Sequence, residues 1–422
     1  MVLSLFLSLP MPEFFFFACT KSKDGQLFEQ VENSGIQFTN TVTDEKDNNI
    51  FKYRNFYNGG GVGIGDINND GLQDIYFTGN MVSGKLYLNK GNMKFEDITQ
   101  KAGVATSGWT YGVSVVDINQ DGYKDIYICK GGNRKTPASE MKNLFFINNK
   151  DNTFSEVATQ MNLADDGYDI QAAFLDYDKD GDLDMYLLRN AFVNYNRNNA
   201  RPKETQGKAA STDKLYRNDG AQENGIIRFT DVSKEEGITI EGFGLGISVC
   251  DLNQDNWPDL YVSNDFLTND LVYINTHKNG KHLGFINQAH ESLRHTTYNG
   301  MGNDVADFNN DGKTDIFSGD SWYEAPSWKK HKIRDIPPAT ENPHYHDDFA
   351  NSPLDVNGDG RIDIVTCNYF AKRFGWLENP GPDSNQNWTE HTIDNPGNME
   401  TGELVDINGD GKPDFLPNPE KK

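Results

Sequence analysis

The sequence is poor in cysteine, short of basic residues and without a long apolar run after its first residues. Only Cys19, Cys129, Cys250 and Cys367 occur in 422 residues, with no CxxC spacing, so we expect free thiols rather than a disulfide framework. Acidic residues outnumber basic ones by 63 to 39, which gives a formal charge of −24. This excess argues against nucleic acid or an anionic membrane surface as a partner. No P-loop, HExxH or Ser-His-Asp signature is present.

The N-terminal segment, residues 1–19, resembles a bacterial lipoprotein signal. Its apolar sequence ends at Cys19, which we expect to be lipidated, and the polar residues 20–26 would form a tether. No Lys or Arg precedes the apolar residues, and Pro10, Pro12 and Glu13 interrupt them, so an ordinary signal peptide or a misassigned start is the alternative. The segment predicts an extracytoplasmic protein, either secreted or held at the cell envelope, that meets the membrane only through a lipid anchor.

One nine-residue motif of the form DxNxDGxxD recurs along the chain. It follows segments rich in small residues, such as GGGVGIG, and precedes β-prone segments such as DIYFTG. The copies are 48 to 75 residues apart, and repeats at such intervals are typical of solenoids, propellers and arrays. Four short strands per unit favour a propeller. The seven copies begin at Asp66, Asp117, Asp176, Asp251, Asp307, Asp355 and Asp406.

The repeats predict an all-β fold, a single seven-bladed β-propeller of four-stranded antiparallel blades over residues 27–422. Residues 27–57 would supply a closing strand and a lead-in, because LFEQV at 27–31 matches the fourth-strand sequence KFEDI at 94–98 but has no blade before it. The last unit has room for only two strands, so we expect the N-terminal strand to complete that blade and close the ring. The predicted blades start near residues 58, 109, 168, 242, 299, 347 and 400.

The motif has the ligand chemistry of a calcium loop. Carboxylate and amide oxygens at positions 1, 3, 5 and 9, with the carbonyl of position 7, approach the roughly six to eight hard oxygen ligands that calcium takes. Glycine at position 6 permits the sharp turn. We predict up to seven Ca²⁺ ions in a structural role. The predicted ligands are Asp66, Asn68, Asp70, Asp74, Asp117, Asn119, Asp121, Asp125, Asp176, Asp178, Asp180, Asp184, Asp251, Asn253, Asp255, Asp259, Asp307, Asn309, Asp311, Asp315, Asp355, Asn357, Asp359, Asp363, Asp406, Asn408, Asp410 and Asp414.

Two features qualify the calcium prediction. The loop joins two strands and lacks a Glu at position 12, so it is not an EF-hand. In the fourth copy Asn256 replaces the glycine and Pro258 follows it, which makes this the weakest of the seven. The alternative for all copies is a set of Asp/Asn-Gly turns that bind no metal.

The motif and its flanks resemble FG-GAP (VCBS) repeats, the calcium-loop blades of integrin α-subunit propellers. Residues 28–317 resemble bacterial members of the cartilage acidic protein family, through GGGVGIGDINNDGLQDIYFTGN and QAAFLDYDKDGDLDMYLL. Residues 318–422 contain WYEAPSWKKHKI and WLENPG…NWTEHTI and resemble a second FG-GAP-like group, the propellers of sugar dehydratases. These resemblances imply a propeller fold and a secreted location, not a defined activity.

Loops on the face opposite the motifs are the predicted binding surface, because loops on a rigid scaffold carry function. Their aromatic and Arg side chains suggest a glycan or an extracellular protein as the partner of a monomeric, non-enzymatic module. The alternative is a sugar-modifying lyase or dehydratase that uses His344 and His346, since His-x-His can bind a metal or act as acid and base. The residues predicted for the ligand face are Trp109, Tyr168, Tyr195, Arg197 and Arg201.

Overall fold

The computed structural model is dominated by short antiparallel strands. It describes residues 16–18, 29–31, 33–53, 55–194, 201–223, 225–265, 268–293, 303–336, 338–339, 342–346, 350–368, 371–381, 386–395 and 398–420. The helical segments in these ranges are of one turn or slightly more, and none is long and apolar enough to cross a membrane. They are α1 (Thr99–Ala102), α2 (Ala138–Met141), α3 (Ala158–Met161), α4 (Ala289–Leu293) and a 3₁₀ turn at Phe192–Asn194.

Six four-stranded antiparallel sheets are each built from consecutive strands, and these are the blades of the propeller. Blade 1 comprises β3 (Val62–Gly65), β4 (Asp74–Phe77), β5 (Lys85–Asn89) and β6 (Phe95–Asp97). Blade 2 comprises β7 (Trp109–Val116), β8 (Asp125–Gly131), β9 (Leu144–Asn148) and β10 (Phe154–Glu156). Blade 3 comprises β11 (Asp169–Leu175), β12 (Asp184–Arg189), β13 (Lys214–Ala221) and β14 (Ile227–Asp231). Blade 4 comprises β15 (Gly244–Cys250), β16 (Asp259–Asn264), β17 (Leu271–Lys278) and β18 (Lys281–Asn287). Blade 5 comprises β19 (Asp304–Ala306), β20 (Asp315–Ser318), β21 (Ser321–Glu324) and β22 (Lys329–Lys332). Blade 6 comprises β25 (Ala350–Leu354), β26 (Asp363–Cys367), β27 (Phe374–Glu378) and β28 (Thr389–Asp394).

The prediction of seven blades was wrong, because the structure has six. Each blade needs four consecutive strands, and the seventh motif is followed by only one strand. That motif joins β29 (Asn398–Val405) to β30 (Asp414–Glu420), which together form the C-terminal hairpin. The hairpin belongs to a four-stranded antiparallel sheet of order β2-β1-β30-β29, in which β1 (Phe16–Ala18) pairs with β30 and β2 (Glu29–Val31) pairs with β1. The strand that pairs with the hairpin is therefore Phe16–Ala18, and Glu29–Val31, from the predicted closing strand, pairs with Phe16–Ala18 at the edge of the same sheet.

The apolar core lies between neighbouring blades. Second strands are buried on both faces, as in β4 and β8, so they are continuous apolar segments rather than alternating ones. Between blades 2 and 3, Tyr127 and Phe145 pack with Met185 and Leu187 in one cluster. The C-terminal hairpin packs on both sides, through Ile407 and Leu416 against blade 1 and through Phe415 against blade 6. The hairpin thus lies between the last blade and the first.

Glycines on the first strands allow the blades to approach closely. A Cβ on Gly61 would lie 2.8 Å from the carbonyl oxygen of Tyr111 and 3.0 Å from the Cα of Gly112. A Cβ on Gly112 would in turn lie 2.4 Å from the carbonyl oxygen of Ile170 in the next blade. Only residues without a side chain fit where backbone meets backbone at this distance.

The antiparallel topology separates two faces. Each of the seven motif copies forms a loop, here called a motif loop, that joins a first strand to a second strand, and in the six blades these loops lie at one end of the sheets. The connections between second and third strands, and the crossings from blade to blade, lie at the other end, here called the opposite face. The remaining sheet, of β23 (Pro338–Ala339) and β24 (Asn342–His346), lies in the crossing between blades 5 and 6.

Candidate functional site

The motif loops share one hydrogen-bonding pattern. In blade 2, Asp117 at position 1 accepts the backbone N–H groups of Asp121 at 3.0 Å and Gly122 at 2.9 Å. Asp125 at position 9 accepts the N–H of Ile118 at 3.1 Å. The same three bonds recur in every motif copy. Each loop therefore wraps its backbone around two fixed carboxylates.

The position 9 carboxyl and the residue at position 2 are buried in each loop, while most of the other loop residues are half-buried or exposed. Burial is the main cause of the raised pKa of the position 9 carboxyls; backbone N–H donors oppose the rise and neighbouring motif carboxylates add to it. The pKa rises to about 7 for Asp74, Asp125 and Asp259, to about 8 for Asp184, and to about 6 for Asp315, Asp363 and Asp414. A bound cation would favour the ionised form of these groups.

The third motif loop has the donor set best suited to a hard cation. It carries Asp at positions 1, 3, 5, 7 and 9. Among the described residues, Asp176, Asp178 and Asp184 form the one group in which three acidic oxygens lie within 4.8 Å of one another. Asp182 at position 7 has a buried Oδ1 with no hydrogen-bond partner, and burial and its acidic neighbours raise its pKa to about 6. Calcium is bound by such oxygens, so the residues fit the ion.

Asparagines at the ends of third strands connect the motif loops, and sequence analysis missed them. Asn148 donates its backbone N–H to Asp125 at 2.8 Å and its side-chain amide to the carbonyl of Ile67, in the loop of blade 1, at 2.7 Å. Three further side-chain amides reach the preceding loop in the same way: Asn89 to Ile407, Asn275 to Tyr177 and Asn379 to Phe308. The signal was the Asn that ends KLYLN, LFFIN, LVYIN and WLEN.

Side chains at position 4 add a second link between loops. Asn69 donates to the carbonyl of Gly122 at 2.8 Å, and Gln120 donates to that of Gly181 at 2.7 Å. Asn310 reaches Gly360 at 3.0 Å. The loops are thus coupled along the motif face, so that order in one supports order in the next.

Three predicted ligand-face residues lie at the opposite face, in differing environments. Trp109 is 6% exposed and packs against Tyr53 and Phe56, with ring centroids 5.1 and 5.4 Å away. Tyr168 is half-buried at the start of blade 3. Arg201 makes a two-bond ion pair with the buried Glu241, both bonds being 2.7 Å. Trp109 and Arg201 therefore contribute to packing and ion pairing within the chain.

The other predicted residues are outside what the structure describes in detail. Tyr195, Arg197 and Cys19 lie outside the described residues. His344 and His346 lie in β24, where His346 pairs with Pro338 across the two-stranded sheet, and only their backbone is described.

A pocket of about 440 Å³ opens at the opposite face between blades 1 and 2. Four segments contribute to it: the segment before β3, the connection after β4, the crossing into β7 and the connection after β8. Most of its lining side chains are amides, hydroxyls or apolar groups. The lining residues are Asn48, Asn80, Met81, Val82, Ser83, Thr106, Ser107, Gly108, Trp109, Gly132, Asn133, Thr136 and Glu140.

Comparison with known proteins identifies the repeats. The family model for the FG-GAP-like repeat matches residues 66–128, 251–318 and 355–416. Each matched region begins at the first Asp of a motif loop. A search of curated protein sequences found no match.

Solved structures with similar folds are distant in sequence. A lectin of Agrocybe aegerita that recognises non-reducing terminal N-acetylglucosamine is 16% identical over 79% of this chain and 79% of its own, with a TM-score of 0.44. A biofilm matrix protein of V. cholerae is 13% identical over 69% of this chain and 40% of its own, with a TM-score of 0.39.

Proposed function

We propose that this chain, an FG-GAP β-propeller protein, is an extracytoplasmic binding module whose motif loops hold calcium and whose opposite face binds a glycan or an extracellular protein. The two roles fall on separate faces. The motif face supplies oxygen ligands that hold hairpins together, and the opposite face carries the longer connections. No step of chemistry on a substrate is part of the proposal.

The pocket between blades 1 and 2 is the observation that carries the binding role. Its volume of about 440 Å³ is in the usual range of small-ligand sites, about 300–1,000 Å³. Its lining combines Trp109 with the amides of Asn80 and Asn133 and the hydroxyls of Ser107 and Thr136. Such a mixture provides an apolar wall and several groups that bond to hydroxyls or to peptide backbone.

The calcium role is supported by the repeated loop geometry. Each position 9 carboxyl is buried close to other carboxylates, and the cost of ionising it would be offset by a divalent cation. Bound calcium would add its binding free energy to the stability of the fold, since the unfolded chain does not hold the ligands together.

A pocket-filling substitution tests the binding role. Ser107 lines the pocket and is exposed, so Ser107→Trp should fill it without changing the core. Ser155→Trp, on the exposed outer strand of blade 2, is the matched control. We expect a glycan array and pull-down from envelope extracts to detect a ligand for the wild type and for Ser155→Trp that Ser107→Trp has lost. Equal binding by all three proteins would place the ligand elsewhere and contradict the proposal.

A further inference from the structure

Lys130 is a buried lysine whose ammonium has no bonded partner among the described residues. It lies near the end of β8 with only 5% of its surface exposed. Its backbone N–H donates to Asn143 Oδ1 at 2.7 Å, but within the described residues its Nζ has neither a hydrogen bond nor an ion pair. Burial lowers the pKa of its ammonium, and Glu140 opposes this. Glu140, which also lines the pocket between blades 1 and 2, therefore attracts the ammonium from beyond ion-pair distance, and a buried lysine with no bonded partner is costly.

The Lys130 ammonium lies next to Gly108, which forms part of the wall of the pocket between blades 1 and 2, although Lys130 is not itself a lining residue. A Cβ on Gly108 would lie 3.6 Å from Lys130 Nζ, and Gly108 is a lining residue. Lys130 pairs with Thr110 across the sheet, and the Thr110 side chain bonds to Gly79 of blade 1. Because opposite residues of an antiparallel pair project to the same side, the Lys130 side chain faces blade 1, as the pocket does.

The local charge differs from that of the whole chain. Residues 130–142 contain Lys130, Arg134, Lys135 and Lys142 against the single acid Glu140, in a chain whose formal charge is −24. The position 1, 5 and 9 aspartates of the blades lie at the other end of the sheets. Among the described residues, a buried lysine and a basic segment thus coincide beside this pocket, although Lys135 is paired with Asp47.

Neutral polar groups complete the pocket. Ser83, Thr106, Asn133 and Thr136 bring hydroxyls and an amide, and Trp109 has a buried Nε1 with no acceptor among the described residues. One ammonium among many neutral donors and acceptors suits a carboxylate on a hydroxyl-rich molecule. Phosphate sites more often bring several cations or a helix N-terminus.

We propose that this pocket binds a carboxylated sugar of an acidic glycan, with the carboxylate on Lys130 and the sugar hydroxyls on the neutral polar groups. The inference rests on the proposed function of the opposite face and adds the ligand class. The sugar carboxylate would supply the directly bonded counter-charge that Glu140, beyond ion-pair distance, does not.

The test uses the whole calcium-loaded protein and three probes: oligosaccharides of galacturonate, glucuronate and mannuronate, each compared with its methyl ester. Lys130→Met removes the charge at nearly constant volume. Lys135→Met changes the net charge equally but removes an exposed lysine paired with Asp47, and is the matched control. We expect calorimetry to show at least one uronate bound about tenfold more tightly than its ester. Lys130→Met should remove that difference and Lys135→Met should keep it.

The melting temperature of unliganded Lys130→Met should equal or exceed that of the wild type, because an unpartnered buried charge is replaced by an apolar group. Should Lys130→Met not fold, the comparison of each uronate with its ester on the wild type decides the question. Equal binding of uronate by wild type and Lys130→Met would overturn the inference, as would equal binding of uronate and ester. If neutral glycans or proteins bind but no uronate does, this inference falls and the proposed function stands. If nothing binds, both fall.

Discussion

The side-chain amide of Asn148 donates a 2.7 Å hydrogen bond to the carbonyl oxygen of Ile67, and so fastens blade 2 to the motif loop of blade 1. The same amide also bonds to the carbonyl of Lys124 at 3.0 Å. The side chain of Asn148 thus links the motif loop of its own blade to the motif loop of the neighbouring blade. The stability of the ring depends on such links as well as on the apolar clusters between blades.

Asn148→Ala should destabilise the protein by about 1–3 kcal/mol, because two carbonyl groups would lose their donor. The bond from the backbone N–H of residue 148 to Asp125 would remain, so the loop itself should persist. Asn149→Ala is the matched control, since the exposed Asn149 side chain bonds only to the Thr153 and Ser155 hydroxyls of its own blade. Denaturant unfolding of both variants measures the difference. If Asn148→Ala lowers the unfolding free energy no more than Asn149→Ala does, the inter-blade bond contributes nothing to stability.

Gly61→Ala should lower the unfolding free energy by more than an ordinary glycine substitution does. The new methyl group would meet the backbone of Tyr111 and Gly112 at 2.8 and 3.0 Å, and backbone cannot rotate away. We expect a loss of about 1–3 kcal/mol from overpacking. Gly71→Ala is the comparison, because its Cβ meets nothing within 4 Å and its cost, about 1 kcal/mol, comes from its φ of +86° alone. Unfolding free energies of the two variants in the reverse order would contradict the close-approach argument.

Asp213→Asn should change how stability depends on pH. Asp213 is buried, accepts the Tyr186 hydroxyl at 2.7 Å and the Arg189 N–H at 2.8 Å, and burial raises its pKa from 3.8 to about 7. The native state therefore holds a proton that the unfolded chain releases, so this group makes stability fall as pH rises from about 4 to about 7. Asparagine should be tolerated, since blade 2 has Asn143 at the same place: its Oδ1 accepts the Lys130 N–H, and its amide donates to the Tyr127 hydroxyl.

The measurement is the unfolding free energy of wild type and Asp213→Asn at pH 5 and pH 8, at constant free calcium. We expect the unfolding free energy of the variant, relative to that of the wild type, to increase as the pH rises, because only the wild type must bury an ionised carboxylate at pH 8. Other carboxyls titrate equally in both proteins and cancel in the difference. A difference that does not vary with pH would mean that Asp213 is ionised throughout.

Asp180→Asn should have opposite effects with and without calcium. Asp180 is one of five acids in the third motif loop and raises the pKa of Asp182 and of Asp178. Removing its charge lowers the repulsion in the metal-free loop, while the Oδ1 of Asn still accepts the N–H of Asp182. We expect a melting temperature at or above that of the wild type in chelator and below it in calcium. Calorimetric titration should show one calcium site weakened. Identical calcium titrations of the variant and the wild type would show that this loop does not bind calcium.

Local repetition made much of the fold predictable. Asp66 and Asp74 lie within one loop, and the strand after them follows directly, so the motif and its β-hairpin can be predicted together. The number of blades was not predictable in this way, because a motif guarantees a hairpin and not the two further strands of a blade. The seventh motif shows this, since Asp406 and Asp414 bound a hairpin whose neighbours come from residues 16–31.

Contacts between distant residues limited the prediction of the candidate site. Arg201 could be predicted near the opposite face, but its pairing with Glu241 depends on a crossing forty residues later. Lys130 is an ordinary strand residue in the sequence, and its burial beside Gly108 follows from how blade 2 packs on blade 1. Such juxtapositions depend on three-dimensional packing, which no pattern in the sequence encodes locally.

The melting temperature in calcium and in a calcium chelator, with magnesium as the control ion, tests the central claim most directly. Each site held at about 100 times its dissociation constant would add about 2.7 kcal/mol to the stability. Several coupled loops should therefore raise the melting temperature by many degrees in calcium, and by much less in magnesium. The same melting temperature in calcium and in chelator would show that the motif loops are metal-free turns and would contradict the account.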